Sequence, residues 1–146
     1  MFTGNRPDGT RKQLLERLAA ARAVTDKLFE MVQPEARYDR PIPERHRIIF
    51  YRGHLEAFDW NLLQPQLPSV RPFDSTLDRL FAFGIDPIDG QLPADKSSDW
   101  PAESHVEDYC RRNRKTLDAS LAGTSLQDWG GTESPVTFLH VALEIV

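Results

Sequence analysis

The stretch Glu44-Arg-His-Arg-Ile-Ile-Phe-Tyr-Arg-Gly-His-Leu-Glu-Ala-Phe-Asp-Trp-Asn-Leu-Leu-Gln64 decides the fold class. It lies between Pro43 and Pro65 with no proline inside it. At helical spacing its apolar side chains cover more than half of the circumference. A helix that is apolar over so much of its surface belongs at the centre of a helical packing. The expectation is therefore a second helix from about Glu44 to Gln64 in an all-α domain.

Upstream, Leu14, Leu15, Leu18, Ala21, Val24, Leu28, Phe29 and Val32 recur at three- and four-residue steps, which predicts a first helix from Thr10. Thr10 is its expected cap and Pro34 its stop. Residues 1–9, with Gly4, Pro7 and Gly9, read as a lead-in. Downstream, residues 65–100 carry five prolines and one short helical stretch, Ser75 to Phe83. So long a connection inside a small domain either crosses a bundle or covers a site. Phe73, Leu77, Leu80, Phe81, Phe83, Ile85, Ile88 and Trp100 give it the apolar weight to pack down. A third long helix is expected from Glu103 or Ser104, with Gly123 just beyond its end. Its stripe is Val106, Tyr109, Cys110, Asn113, Thr116, Leu117 and Leu121. Ser134-Pro135 opens a fourth, with Phe138, Leu139, Ala142, Leu143, Ile145 and Val146. At about twelve residues it is shorter than the other long helices. No strand-like alternation is sustained. The sum is one domain, residues 10–146: an all-α four-helix bundle with a long crossover between the second and third helices and a shortened last helix.

Composition narrows the function. The chain has 146 residues, with 18 basic and 22 acidic side chains, a formal charge of −4. Proteins that grip phosphate backbones carry a basic excess, so no nucleic-acid partner is expected. A single cysteine, Cys110, excludes an internal disulfide framework and a Cys-rich zinc site. No apolar run approaches the ~18 residues that span a bilayer. The opening residues, with Asn5, Arg6, Asp8, Arg11 and Lys12, lack the apolar stretch of a secretory signal. A cytoplasmic location and no membrane partner are expected.

Few residues offer chemistry. His54 follows Gly53 in the middle of the apolar second helix, with Arg47, Tyr51, Phe58 and Asn61 on roughly its face. A neutral imidazole there can ligate a metal, though a hydrogen-bonded core histidine is the commoner case. His46 is expected to be exposed in the first turn of the same helix. His105 lies among Glu103, Glu107 and Asp108 at an acidic helix start. His140 and Glu144 form an i, i+4 pair that can place two ligands on one side of a helix. Cys110 precedes an arginine pair that would favour a thiolate, but its place in the apolar stripe predicts a buried thiol. The basic cluster Arg111, Arg112, Arg114 and Lys115 reads as a solvated face. No nucleophile elbow, phosphate-cradling loop or dinucleotide fingerprint is present.

Three stretches carry a family resemblance: His46 to Asn61; Phe73-Asp-Ser-Thr-Leu-Asp-Arg-Leu-Phe-Ala-Phe-Gly-Ile-Asp-Pro87 with Gly90-Gln-Leu-Pro93 and Ser98-Asp-Trp-Pro101; and Leu139-His-Val-Ala-Leu-Glu144. Together they resemble the DinB-like N-terminal domain of EgtB-type ergothioneine-biosynthesis proteins. The resemblance implies a DinB-type four-helix bundle. It also implies an iron site of three histidines, one from a Gly-His on the second helix and two from a His-x-x-x-His on the last. Only the first carries over, to His54, the single metal-site residue expected here. After Glu144 stands Ile145, and His140 lies ~140° around the helix from it. The resemblance thus implies an incomplete centre. The domain is expected not to be catalytic alone: a truncated copy, or a module that self-associates or is completed at its last helix by another protein. The alternative is an iron-dependent sulfur-transfer domain of the EgtB type, using His54 with His140 and Glu144 as substitutes.

Overall fold

The computed structural model describes residues 7–67, 69–84 and 88–123. Among them are four α-helices and no strand: α1 (Pro7–Glu30), α2 (Ile48–Leu63), α3 (Ser75–Leu80) and α4 (Glu103–Gly123). The expected all-α class is thereby met. The predicted last helix, with His140 and Glu144, lies outside the described residues.

Several helix ends differ from expectation for identifiable reasons. α1 begins at Pro7, a residue whose fixed φ suits the first helical position, so Thr10 is inside the helix and does not cap it. It ends at Glu30, before Pro34. Gln33, held extended at φ −58° and ψ 139°, shows the usual restriction on a residue preceding proline. α2 begins at Ile48 rather than Glu44, with Arg47 extended at its cap. Residues 41–45 form bends and a turn, and tertiary bonds from Arg40 and Arg47 hold the segment there. Arg47 donates to Tyr38 O at 2.7 Å and to Asp95 Oδ2 at 2.9 Å, and Arg40 donates to Asp95 Oδ1 at 2.6 Å. α3 is capped by Asp74, which accepts from the Leu77 amide at 3.0 Å, and stops at Leu80 rather than Phe83.

Pairings along the helices fix their directions. Arg52 meets Glu107, and Glu56 meets Arg114, at sequence offsets of 55 and 58. A near-constant offset means that α2 and α4 run parallel. α1 pairs in the opposite sense, Arg22 with Asp118 and Asp26 with Arg114, and is antiparallel to both. Two parallel helices joined in sequence need a connection that travels back along their length, which is what residues 64–102 supply.

The apolar core has two clusters. One gathers Leu14 and Leu18 of α1 with Trp60, Leu63, Leu117 and Leu121. The other gathers Ile49, Phe50, Ala57, Val106, Tyr109 and Cys110 with Leu77 and Phe81 from the crossover. Phe73 packs against both. The α4 stripe is buried as expected, with Thr116 half-buried at its margin. The α1 stripe is only half right. Leu14 and Leu18 are buried, whereas Val24 and Leu28 are each 59% exposed. At that end Arg22 and Thr25 turn inward instead, Arg22 toward Asp118 of α4 and Thr25 beside Glu56 and Asp59 of α2. Phe83, expected to pack down, is exposed.

Asp95 ties the end of the crossover to the segment before α2. Besides the two arginines it accepts from Trp100 Nε1 at 2.7 Å. Burial pushes its carboxyl up, but the bonds from Arg40, Trp100 and Arg47 outweigh this and hold it down at about 2. A carboxyl depressed in the folded state stabilises above its unfolded value of 3.8 and loses that contribution as pH falls toward 2. Asp95→Asn is therefore expected to cost up to ~2 kcal/mol at pH 7 and to flatten the stability profile between pH 4 and 2. Urea denaturation at pH 7 and across pH 4 to 2 measures both.

Candidate functional site

Gly53 and His54 sit at the middle of α2, where the crossover lands. A Cβ built on Gly53 would lie 2.4 Å from the Phe81 ring, so the absence of a side chain is what admits that ring. The neighbouring His54 receives the other part of the same residue. Its Nδ1 is 2.6 Å from the Phe81 carbonyl. A carbonyl oxygen only accepts, so Nδ1 carries the proton, and in the neutral ring Nε2 is left with its lone pair. The imidazole stacks on Phe50, with ring centroids 4.9 Å apart, and is half-buried. Of the residues expected to share its face, Arg47 is drawn away to Asp95 and Asn61 donates to Asp78 O at 3.2 Å.

The other histidines are engaged elsewhere. His46 precedes α2 and is half-buried, not exposed in its first turn. Its Nε2 lies 2.8 Å from Gly84 O and its ring is 4.0 Å from that of Phe50. His105 is exposed and meets Asp74 Oδ2 at 3.1 Å. Among the described residues no group of three His, Cys, Asp or Glu side chains could hold a metal ion. Those residues by themselves do not fit the three-donor iron centre that the resemblance implies. His140 and Glu144 are not among them.

Cys110 is buried on α4, with its thiol 3.7 Å from Arg52 O. Burial pushes it up to about 12, so no nucleophilic thiolate forms near neutral pH. The expectation of a core thiol holds. In the adjacent basic cluster Arg111, Arg112 and Lys115 are exposed as expected, and Arg114 is not. Arg114 turns inward, while Arg111 pairs with Asp108 and Arg112 lies 3.9 Å over the Phe73 ring.

What the sequence reading passed over is a charged layer across the bundle. Arg52, Glu56 and Asp59 fall at i, i+4 and i+7 on α2, a polar stripe within an apolar helix. Arg114 binds Glu56 at 2.6 Å and both oxygens of Asp26 at 2.7 and 2.8 Å. The Arg114 bond holds the Asp26 carboxyl below its ordinary range. Arg52 forms a two-pronged pair with Glu107 at 3.0 and 3.1 Å. Beside it opens a cleft of about 430 Å³ lined by Asp26, Phe29, Arg37, Ile48, Arg52 and Glu107. The guanidiniums lining it are paired, Arg37 with Glu103 and Arg52 with Glu107. The spacing of the α2 charges was the available signal; their partners on α4, 55 and 58 residues distant, were not.

Compared with known proteins, the sequence matches no family model and no curated protein.

The Phe81 slot yields a direct test. Gly53→Ala gains up to ~1 kcal/mol of helix propensity but drives a methyl into a buried ring. It is expected to lower stability by ~1–3 kcal/mol net. Pairing it with Phe81→Leu should return part of the loss, read from denaturant midpoints of the two variants.

Proposed function

We propose that this chain is a cytoplasmic DinB/EgtB-like helical module that is not catalytic alone and acts by association with another protein surface. The observation that carries the reading is the engagement of Gly53-His54 by Phe81. The motif the family resemblance assigns to metal binding has here a full architectural use, pinning the crossover to α2. The carboxylates nearest along α2 and α4 are likewise committed, Glu56 to Arg114 and Glu107 to Arg52. Association is supported by Val24 and Leu28 of α1 and Met31 just past its end, 59%, 59% and 77% exposed at i, i+4 and i+7, an apolar stripe of the kind that binds a partner. No described helix is long and apolar enough to cross a membrane, and the acidic balance disfavours a nucleic-acid partner.

A second reading, an iron-dependent sulfur-transfer domain, draws on one observation. Metal-ligating histidines commonly donate their other ring N–H to a carbonyl, and the bond from Nδ1 to Phe81 O has that form. His54 would then supply one ligand through Nε2, with the remaining donors coming from residues beyond those described.

His54→Asn separates the two readings, because the Asn amide occupies the place of Nδ1 and can still donate to Phe81 O. In the architectural reading His54→Asn stays within ~0.5 kcal/mol of the parent, His54→Ala loses ~1–2 kcal/mol, and neither iron(II) nor zinc binds stoichiometrically to the parent. Stoichiometric metal binding abolished by His54→Asn, read by isothermal titration, would overturn it. The partner surface is read by size-exclusion chromatography with light scattering. A second copy as partner predicts a concentration-dependent dimer that Leu28→Glu or Met31→Glu dissociates. A cooperatively melting monomer at every concentration eliminates self-association and leaves a different protein as the partner.

A further inference from the structure

The charged layer leaves a buried carboxyl oxygen without a partner. Asp59 of α2 is 4% exposed, and its Oδ1 meets no hydrogen-bonding protein group. With Leu18, Arg22, Thr25 and Glu56 it lines a small pocket between α1 and α2 of about 10 Å³, the threshold for a single water. Arg22 Nε and Nη2 and Glu56 Oε2 are buried there without protein partners as well. Two donors and two acceptors are what one water molecule serves.

Charge balance decides the state of the pocket. From α1, Arg22 reaches toward Asp59 but is bound by Asp118 of α4 at 2.6 Å. From α4, Arg114 is shared between Glu56 and Asp26. Arg52 is taken by Glu107. Without Asp59 the layer already holds four carboxylates (Asp26, Glu56, Glu107, Asp118) against three guanidiniums (Arg22, Arg52, Arg114). An ionised Asp59 would add a second excess negative charge in a place water barely reaches, a costly arrangement.

We propose that Asp59 is a proton-operated latch on α1: with its carboxyl protonated the C-terminal half of α1 docks firmly on α2 and α4, and on ionisation that half loosens. The N-terminal half is held independently, by Leu14 and Leu18 in the core and by Arg11, which donates to Ala122 O at 3.1 Å. The C-terminal half depends on Arg22, Thr25 and Asp26, the residues that border the pocket or its ion pairs. Burial, reinforced by the charge of Glu56, pushes the Asp59 carboxyl up to about 7, which puts the latch in the neutral range. An ordinary aspartate carboxyl lies at 3.8, and undocking α1 moves Asp59 toward that value, so docking takes up a proton. Docking is therefore strongest below about pH 4, weakens as pH rises through the interval to 7, and is weakest above it. The latch does not depend on the proposed function, since it concerns neither His54 nor the exposed face of α1.

Amide hydrogen exchange, corrected for intrinsic rates, tests it on the full chain. In the parent protein, protection of residues 20–30 relative to α4 is expected to fall about tenfold or more between pH 5.5 and pH 8. In Asp59→Asn, which cannot ionise, the fall should disappear. An equal fall in the two proteins, or none in the parent, would overturn the latch. A direct readout does not rely on the variant folding: the carboxyl ¹³C shift of Asp59 in the parent should titrate near pH 7, and a midpoint near 4 rejects the proposal.

Discussion

The contact between Phe81 and the Gly53-His54 pair is the constraint from which the rest of the arrangement follows. α2 and α4 run parallel, so the chain leaving Leu63 must return past the whole length of α2, about 24 Å, before α4 can begin. A connection of that length is costly to order unless something fixes it partway. Phe81 does so from both of its ends, the ring filling the space a Cβ would take at residue 53 and the carbonyl accepting from His54. Around the anchored ring Phe50, Trp100 and Tyr109 assemble at centroid distances of 5.7 to 6.5 Å. This second apolar cluster thus exists because the crossover is held there.

The charged layer sets what apolar packing leaves undetermined. Leucines at helical spacing tolerate sliding by a turn, since another leucine takes the vacated place. Ion pairs do not. Moving α1 by one turn would take Asp26 from Arg114 and Arg22 from Asp118, leaving Glu56, 2% exposed, as the sole acidic partner of Arg114. Breaking such a half-buried network costs more than forming it gains, because each stranded charge is poorly solvated. The layer therefore contributes chiefly to register and helix direction, while the two apolar clusters contribute most of the stability.

How far the sequence could be read follows the same division. α4 was legible residue by residue, because Val106, Tyr109, Cys110, Asn113, Leu117 and Leu121 follow the helical period and all point at the core. The body of α2 and the position of His54 on it were legible for the same reason. α1 was misjudged over its second half because periodicity ranks Val24 and Leu28 above Arg22 and Thr25 for burial. The charged layer on α2 and α4 reverses that order, and its partners are far away in sequence. The start of α2 moved by four residues because Arg40 and Arg47 converge on Asp95, another long-range pairing that local propensity does not contain. At the site, the chemistry of His54 could be named from sequence, but its acceptor, the main chain of Phe81, leaves no mark in residue type.

The two roles considered for His54 are not exclusive, and that bears on how a Gly-His pair on such a helix is to be interpreted. Docking uses Nδ1 and the space above Gly53; ligation uses Nε2. A chain with donors positioned on another helix would lose nothing of the docking by binding a metal, since the carbonyl bond would also orient the ring. A chain without those donors would still need both residues to hold its crossover. The pair is thus required by the architecture in either case, and it carries little information about metal by itself. The information resides in the donors opposite Nε2, so a metal centre in this type of bundle is argued from the second and third ligands rather than from the first.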